Sequence, residues 1–134
     1  MQQNSERYRF NKAERITSEK ETDLLFRQGK RKYFGTLALT WLMLPADTEV
    51  LPKILVSAPK KQFKKAIDRN RIKRLIREAY RLNKGELVRL ATERKQRIRM
   101  AVVYTGRELP RYTMIEKDIR GIIGWMIKET KGSG

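Results

Sequence analysis

The stretch RNRIKRLIREAYR, residues 69 to 81, restricts the fold of this chain more than any other segment. It holds six cationic side chains in thirteen positions, yet its apolar residues recur at a helical interval. Projected at about 100° per residue with Arg69 at zero, Ile72, Leu75, Ile76, Ala79 and Leu82 gather around roughly 280°. Asn70, Lys73, Arg74, Arg77 and Arg81 gather around roughly 95°, with Arg69 beyond one edge of the group and Arg71 off it, near Glu78. The spacing therefore predicts a helix to about Asn83, with one face in a core and the other a cationic ridge.

A solvated face that merely keeps a helix soluble is the bland alternative. Solubility is ordinarily served by mixed signs and i,i+4 acid–base pairs. Here Glu78 is the one acid between Asp68 and Glu86, so it can offset only a neighbour such as Arg74 or Arg81. Like-charged pairs such as Arg69 with Lys73, Lys73 with Arg77, and Arg77 with Arg81 each cost about 0.2–0.5 kcal/mol. A fold that keeps them all is expected to recover the loss on a polyanion. The whole chain points the same way, with 32 Lys and Arg against 15 Asp and Glu, a net charge of +17. RNA or DNA is the first candidate partner and an anionic membrane surface the second. Arg predominates over Lys, and a guanidinium fork bridges two phosphate oxygens or stacks on a base, which an ammonium does not. Asn70 adds an amide suited to a sugar hydroxyl or a base edge. Upstream, KKQFKK extends the patch with Lys60, Lys61, Lys64 and Lys65. Phe63 in its middle either stacks on a base or, as Phe more often does, anchors the loop to a core.

The remaining chain supplies that core. Its 134 residues suit one domain. Residues 1–16 read as a basic N-terminal arm with Tyr8 and Phe10 as candidate anchors. Ser18 with Glu21 makes a capping box before Leu24, Leu25 and Phe26, and Gly29 is the stop. KRKYFGTLALTWLML reads as strand material ending at Pro45, PADTEVLP as a loop, and KILVSA as the next strand, ended by Pro59. ELVRLATERK is a further helical segment and RIRMAVVYTG a third strand. Thr113 with Glu116 forms a second capping box before Ile119, Ile122, Ile123, Met126 and Ile127, which predicts a last helix from 113 to about 130. Residues 131–134 read as a flexible end. The expected fold is α+β, a small α–β sandwich with a mostly antiparallel sheet and the order α-β-β-α-β-α, and residues 17–130 form its single domain.

Several chemistries are disfavoured. The chain has no Cys and no His, which removes disulfides, thiolate metal sites and the commonest general base, and fits a reducing compartment. Its longest apolar runs are too short to span a bilayer, and its N-terminus lacks an apolar segment of the secretory kind. The carboxylates are scattered, and no Gly-rich phosphate loop or nucleophile elbow occurs. A catalytic residue, a protein-bound metal and a small-molecule substrate are accordingly not expected.

In its residues, RNRIKRLIREAYR resembles the signature of the bacterial ribonuclease P protein subunit. The agreement extends to LLFRQGKR, to ILVSAPKK ahead of the basic helix, and to MAVVYTG before the last amphipathic helix, covering residues from about 15 to 128. The resemblance implies an α–β sandwich with a left-handed βαβ crossover, an exception to the usual hand. It implies a subunit that binds a catalytic RNA, which holds Mg2+, and a precursor tRNA whose 5′ leader the holoenzyme removes in the cytoplasm. Arg69, Asn70, Arg71, Lys73, Arg74 and Arg77 match the family's RNA-contacting helix, and Lys60 and Lys61 fall at or one position ahead of its basic pair. Phe26 matches an aromatic of a leader-binding cleft between the first helix and the sheet. Tyr33, Phe34 and Thr40, with Trp41 adjacent, are further leader candidates, although an aromatic here is more often core. The chain departs from the family pattern at Thr22, at Thr40 and near Lys64. A non-catalytic RNA-binding protein of the ribosomal or RNA-chaperone kind is the alternative. A peripheral membrane protein is disfavoured, since the apolar side of the basic helix lacks bulky aromatics for interfacial insertion.

Overall fold

A computed structural model of the chain describes residues 12–45 and 51–132. After a 3-10 turn at Lys12–Glu14, helix α1 spans Glu19–Gln28 and strands β1, β2 and β3 span Lys30–Phe34, Leu37–Pro45 and Lys53–Ser57. Helices α2 (Ala66–Asn83) and α3 (Gly85–Arg94) follow, then β4 (Gln96–Tyr104) and α4 (Tyr112–Gly132). The sheet order is β1-β2-β4-β3. Both pairings of β2 are antiparallel and β3 lies parallel to β4, so α2 and α3 form the crossover that a parallel pair requires. The fold is thus α+β with a mostly antiparallel sheet.

The element order differs from the expected one, because residues 30–45 make two strands. Phe34 pairs with Leu37 across a two-residue loop in which Gly35 has φ +59°, a conformation that costs glycine nothing. The Asp118 carboxylate of α4 accepts the Thr36 amide at 3.0 Å and its hydroxyl at 2.9 Å, which fixes the turn from the far end of the sequence.

Helices cover both faces of the sheet. Leu37, Leu39 and Trp41 of β2, Ile54 and Val56 of β3, and Ile98, Met100, Val102 and Tyr104 of β4 pack under α2, α3 and α4. On the opposite face Leu25 of α1, Ile16 and Ala101 form a smaller cluster flanked by Leu42 and Leu55. Cross-strand partners share a face, so Lys30, Lys32 and Phe34 lie on the three-helix side and Arg31 and Tyr33 on the α1 side.

The first capping box is half made. Ser18 Oγ accepts the Glu21 amide at 3.3 Å, but the Glu21 carboxylate takes Arg99 Nε at 2.9 Å, tying α1 to β4. Gly29 ends α1 through close approach: a Cβ there would lie 2.4 Å from the Leu25 oxygen and 2.9 Å from that of Trp41. The second box is not formed, since α4 begins at Tyr112 and Thr113 already lies inside its first turn. Glu116 instead accepts from the Tyr112 hydroxyl at 3.3 Å and faces Arg120 Nη2 at 3.7 Å.

Residues 12–16, expected to belong to a loose arm, are anchored. Arg15 bridges Ile54 in parallel, the Ile16 amide donates to the Ile54 oxygen at 3.2 Å, and Glu14 and Ile16 are buried. This short segment covers the outer edge of β3, which would otherwise present open backbone. Tyr8 and Phe10, most of the loop before β3, and the last two residues lie outside the described residues.

Candidate nucleic-acid interface

Helix α2 is amphipathic as predicted, but its buried arc is rotated. Ile72, Ile76, Ala79 and Tyr80 are buried, Leu75 is half-buried and Leu82 is 40% exposed. The centre of burial moves by about 45° from the predicted direction. Tyr80, at the edge of the arc opposite Leu82, is buried and draws its own flank of the helix inward, while Leu82 is left outside. Lys73, Arg77 and Arg81 on the Tyr80 side consequently become half-buried, and the open crest is formed by Asn70, Arg71 and Arg74.

Ahead of α2 the lysine loop is held from within. Phe63 enters the core with its ring 5.8 Å from that of Tyr104, so it is not a base-stacking surface. Gln62 and Phe63 amides both donate to the Pro59 oxygen, at 3.2 and 3.1 Å. Arg69 Nη1 donates to the Phe63 and Lys64 oxygens at 2.7 and 2.9 Å. Arg69, expected beyond one edge of the ridge as an RNA-contacting residue, braces the loop that displays Lys60, Lys61, Lys64 and Lys65, all four exposed. Nothing in the sequence spacing distinguishes a guanidinium that turns back from one that faces out.

Two shallow grooves run along the ridge and share Arg74. Ile67, Asn70, Arg71 and Arg74 line the first. Ile67 is 75% exposed, an apolar surface within the cationic field that the wheel did not single out. Arg15, Arg74, Arg77, Glu78 and Arg81 line the second. There Arg81 grips Glu78 with two bonds, Nε to Oε1 at 3.1 Å and Nη2 to Oε2 at 2.8 Å. That bonding holds the Glu78 carboxyl below its ordinary pKa and raises that of Arg81. Burial, and then the positive charge of Arg15, lowers that of Arg77.

On the α1 side of the sheet, Tyr33 is 64% exposed with the Arg31 guanidinium 6.0 Å from its ring centroid, and Phe26 of α1 is 47% exposed. The register sets Ala38, Val103 and Ser57 in one row with Tyr33. Two other leader candidates are displaced from this surface. Phe34 lies on the opposite face, its ring 6.4 Å from Trp125 and 5.8 Å from Lys32 Nζ, because successive strand residues alternate sides. Thr40 shares the α1 face but is 4% exposed, and its Cγ2 lies 2.8 Å from where a Gly29 Cβ would sit. The end of α1 covers it. Trp41 is likewise core, edge-on to Trp125 at 5.9 Å.

Several acids are engaged one by one. Glu14 pairs with Lys84 in a buried salt bridge, Glu21 with Arg99, Glu78 with Arg81, and Glu93 with Arg89. Among the described residues no three His, Cys, Asp or Glu side chains converge as metal ligands would. No described helix is long and apolar enough to cross a membrane.

Residues 10–122 match the family model described as Ribonuclease P. The ribonuclease P protein component of Porphyromonas gingivalis is 34% identical over 108 residues, 81% of this chain and 79% of that one. That of Chlorobaculum tepidum is 36% identical over 109 residues, covering 74% of this chain and 70% of its own. Among solved structures, the Staphylococcus aureus RNase P protein superposes with a TM-score of 0.67 at 17% identity, over 85% of this chain and 95% of that one. The Thermotoga maritima RNase P protein gives 0.64 at 18%, over 82% and 94%. The sandwich, the basic helix and the sequence match agree: the chain belongs to the ribonuclease P protein family.

Proposed function

We propose that α2 and the lysine loop hold the ribonuclease P RNA, and that the α1 side of the sheet receives the 5′ leader of precursor tRNA. As a ribonuclease P protein the chain is a component of an endoribonuclease that acts on RNA. In this reading it contributes binding rather than a catalytic side chain. The RNA carries out hydrolysis with its own Mg2+, and no small molecule takes part. The reading places the work in the cytoplasm, in keeping with a chain free of cysteine.

One observation carries the proposal. Asn70, Arg71 and Arg74 stand exposed on a helix whose reverse side, through Ile72, Ile76, Ala79 and Tyr80, is locked in the core. A helix already fixed in the core needs no reordering of its backbone when phosphates arrive, and each phosphate its cations neutralise releases counterions. Apposing a leader with a catalytic RNA brings two polyanions together. A body of charge +17 between them lowers that repulsion and reduces the divalent ion required. Tyr33 and Phe26 offer exposed rings for stacking on single-stranded bases, at about 1–3 kcal/mol per base. Only a precursor has a leader, so this surface discriminates precursor from product.

The test adds the protein to a bacterial ribonuclease P RNA with labelled precursor tRNA at low magnesium. Restored 5′ cleavage is expected, with Tyr33→Ala lowering affinity for precursor more than for mature tRNA. Tight RNA binding without any stimulation of cleavage would favour the alternative, a general RNA-binding protein of the ribosomal or chaperone kind.

A further inference from the structure

The turn before α1 holds one arginine whose position is fixed with unusual thoroughness. Arg15 stands between two buried residues, Glu14 and Ile16, and its backbone is bridged to Ile54 on β3. The buried bridge from Glu14 to Lys84 fastens the same turn to the junction of α2 and α3. Arg15 is thereby held in register with the last turns of α2, where it lines a groove with Arg74, Arg77 and Arg81.

We propose that Arg15 completes a composite phosphate-binding groove with Arg74, Arg77 and Arg81, so that the N-terminal turn is part of the RNA interface. The inference rests on the reading of α2 as an RNA surface and extends it to a second, non-contiguous segment. Four guanidiniums and one carboxylate line the groove, and that carboxylate is already gripped by Arg81 through two bonds. Burial, and then the Arg15 charge, makes the proton of half-buried Arg77 easier to remove. Like charges held together in this way repel in the free protein, and an anion between them reverses the sign of the interaction. A phosphodiester suits the arrangement, since guanidinium forks engage paired phosphate oxygens. From Arg74 to Arg81 the helix rises by about 10 Å, enough to follow a backbone past a single phosphate.

The experiment titrates the full-length protein against a bacterial ribonuclease P RNA across a salt series. Arg15→Gln and Arg77→Gln are each expected to weaken binding about tenfold or more at moderate salt. Each should also flatten the log–log salt slope by about 0.7–0.9, the signature of one lost phosphate contact. Arg15→Lys should keep the slope while losing part of the affinity. Arg89→Gln serves as control for loss of charge alone, since the Arg89 side chain is exposed on the outer face of α3 and paired with Glu93. If Arg15→Gln behaves like Arg89→Gln while Arg77→Gln is impaired, the groove is refuted and the α2 interface stands. If the parent protein itself fails to bind, both fall.

Discussion

Arginine serves two ends in this molecule, and neighbours decide which. Arg99 is buried against Glu21 and the Ile98 oxygen, and Arg69 is turned onto loop carbonyls. Arg71 and Arg74 stand open. Glu78 is the acid set within the ridge, so Glu78→Gln should release Arg81 and tighten RNA binding several-fold in the same titration. Its effect on stability should be small, about 0.2–0.5 kcal/mol, because the pair is exposed. What stability it gives is present above the ordinary carboxyl pKa and lost as pH falls through the depressed one. Tyr80 has the opposite sign. Burial, and then the charge of Glu14, pushes its phenol far above the ordinary range. The related stability is intact below about pH 10 and lost as pH rises beyond it, where the unfolded phenol ionises first. Denaturant unfolding between pH 8 and 11 should show that fall, and Tyr80→Phe should make it shallower. Phe63 was legible as a core anchor from type alone. The separation of Tyr33 from Phe34 was not, because the face each takes depends on a turn the strand run concealed.

At the scale of elements, the rotation of α2 decides which cavity mutations hurt. Ile76→Ala removes a fully buried side chain and should cost about 2–5 kcal/mol in denaturant unfolding. Leu75→Ala, at a half-buried position, should cost clearly less. The hairpin gives a second contrast. Gly35→Ala places a side chain on a backbone of φ +59°, 2.4 Å from the Asp118 carboxylate that clasps the turn. A loss of at least about 1–3 kcal/mol is expected, read as a lower Tm with RNA affinity retained. Periodicity revealed α2 and α4 because each has a long apolar stripe, whereas α1 was legible from its capping box and its glycine stop. It missed the division of residues 30–45 because one glycine carries the whole signal. It also misplaced the start of α4, where Thr113 and Glu116 have capping spacing but other partners.

Across the whole molecule, one buried and one part-buried ion pair join what periodicity treats as separate. Glu14 with Lys84 and Glu21 with Arg99 each span just over half of the chain's length and hold its first described residues to the rest. Lys84→Met leaves Glu14 buried without that cation and should cost about 3–5 kcal/mol in thermal or denaturant unfolding. No spacing rule links residues so distant, which is why the anchoring of 12–16, and Arg15 with it, was invisible in the sequence. The net charge, in contrast, was legible at once and predicts steep salt dependence of RNA binding. The parallel pairing of β3 with β4 has a temporal consequence. The cationic helix is synthesised before the strand and final helix that cover its apolar side. A chain truncated before Gln96 would carry that charge without the backing that fixes the helix, so competence to grip RNA should arrive only once residues 96–132 have packed against it.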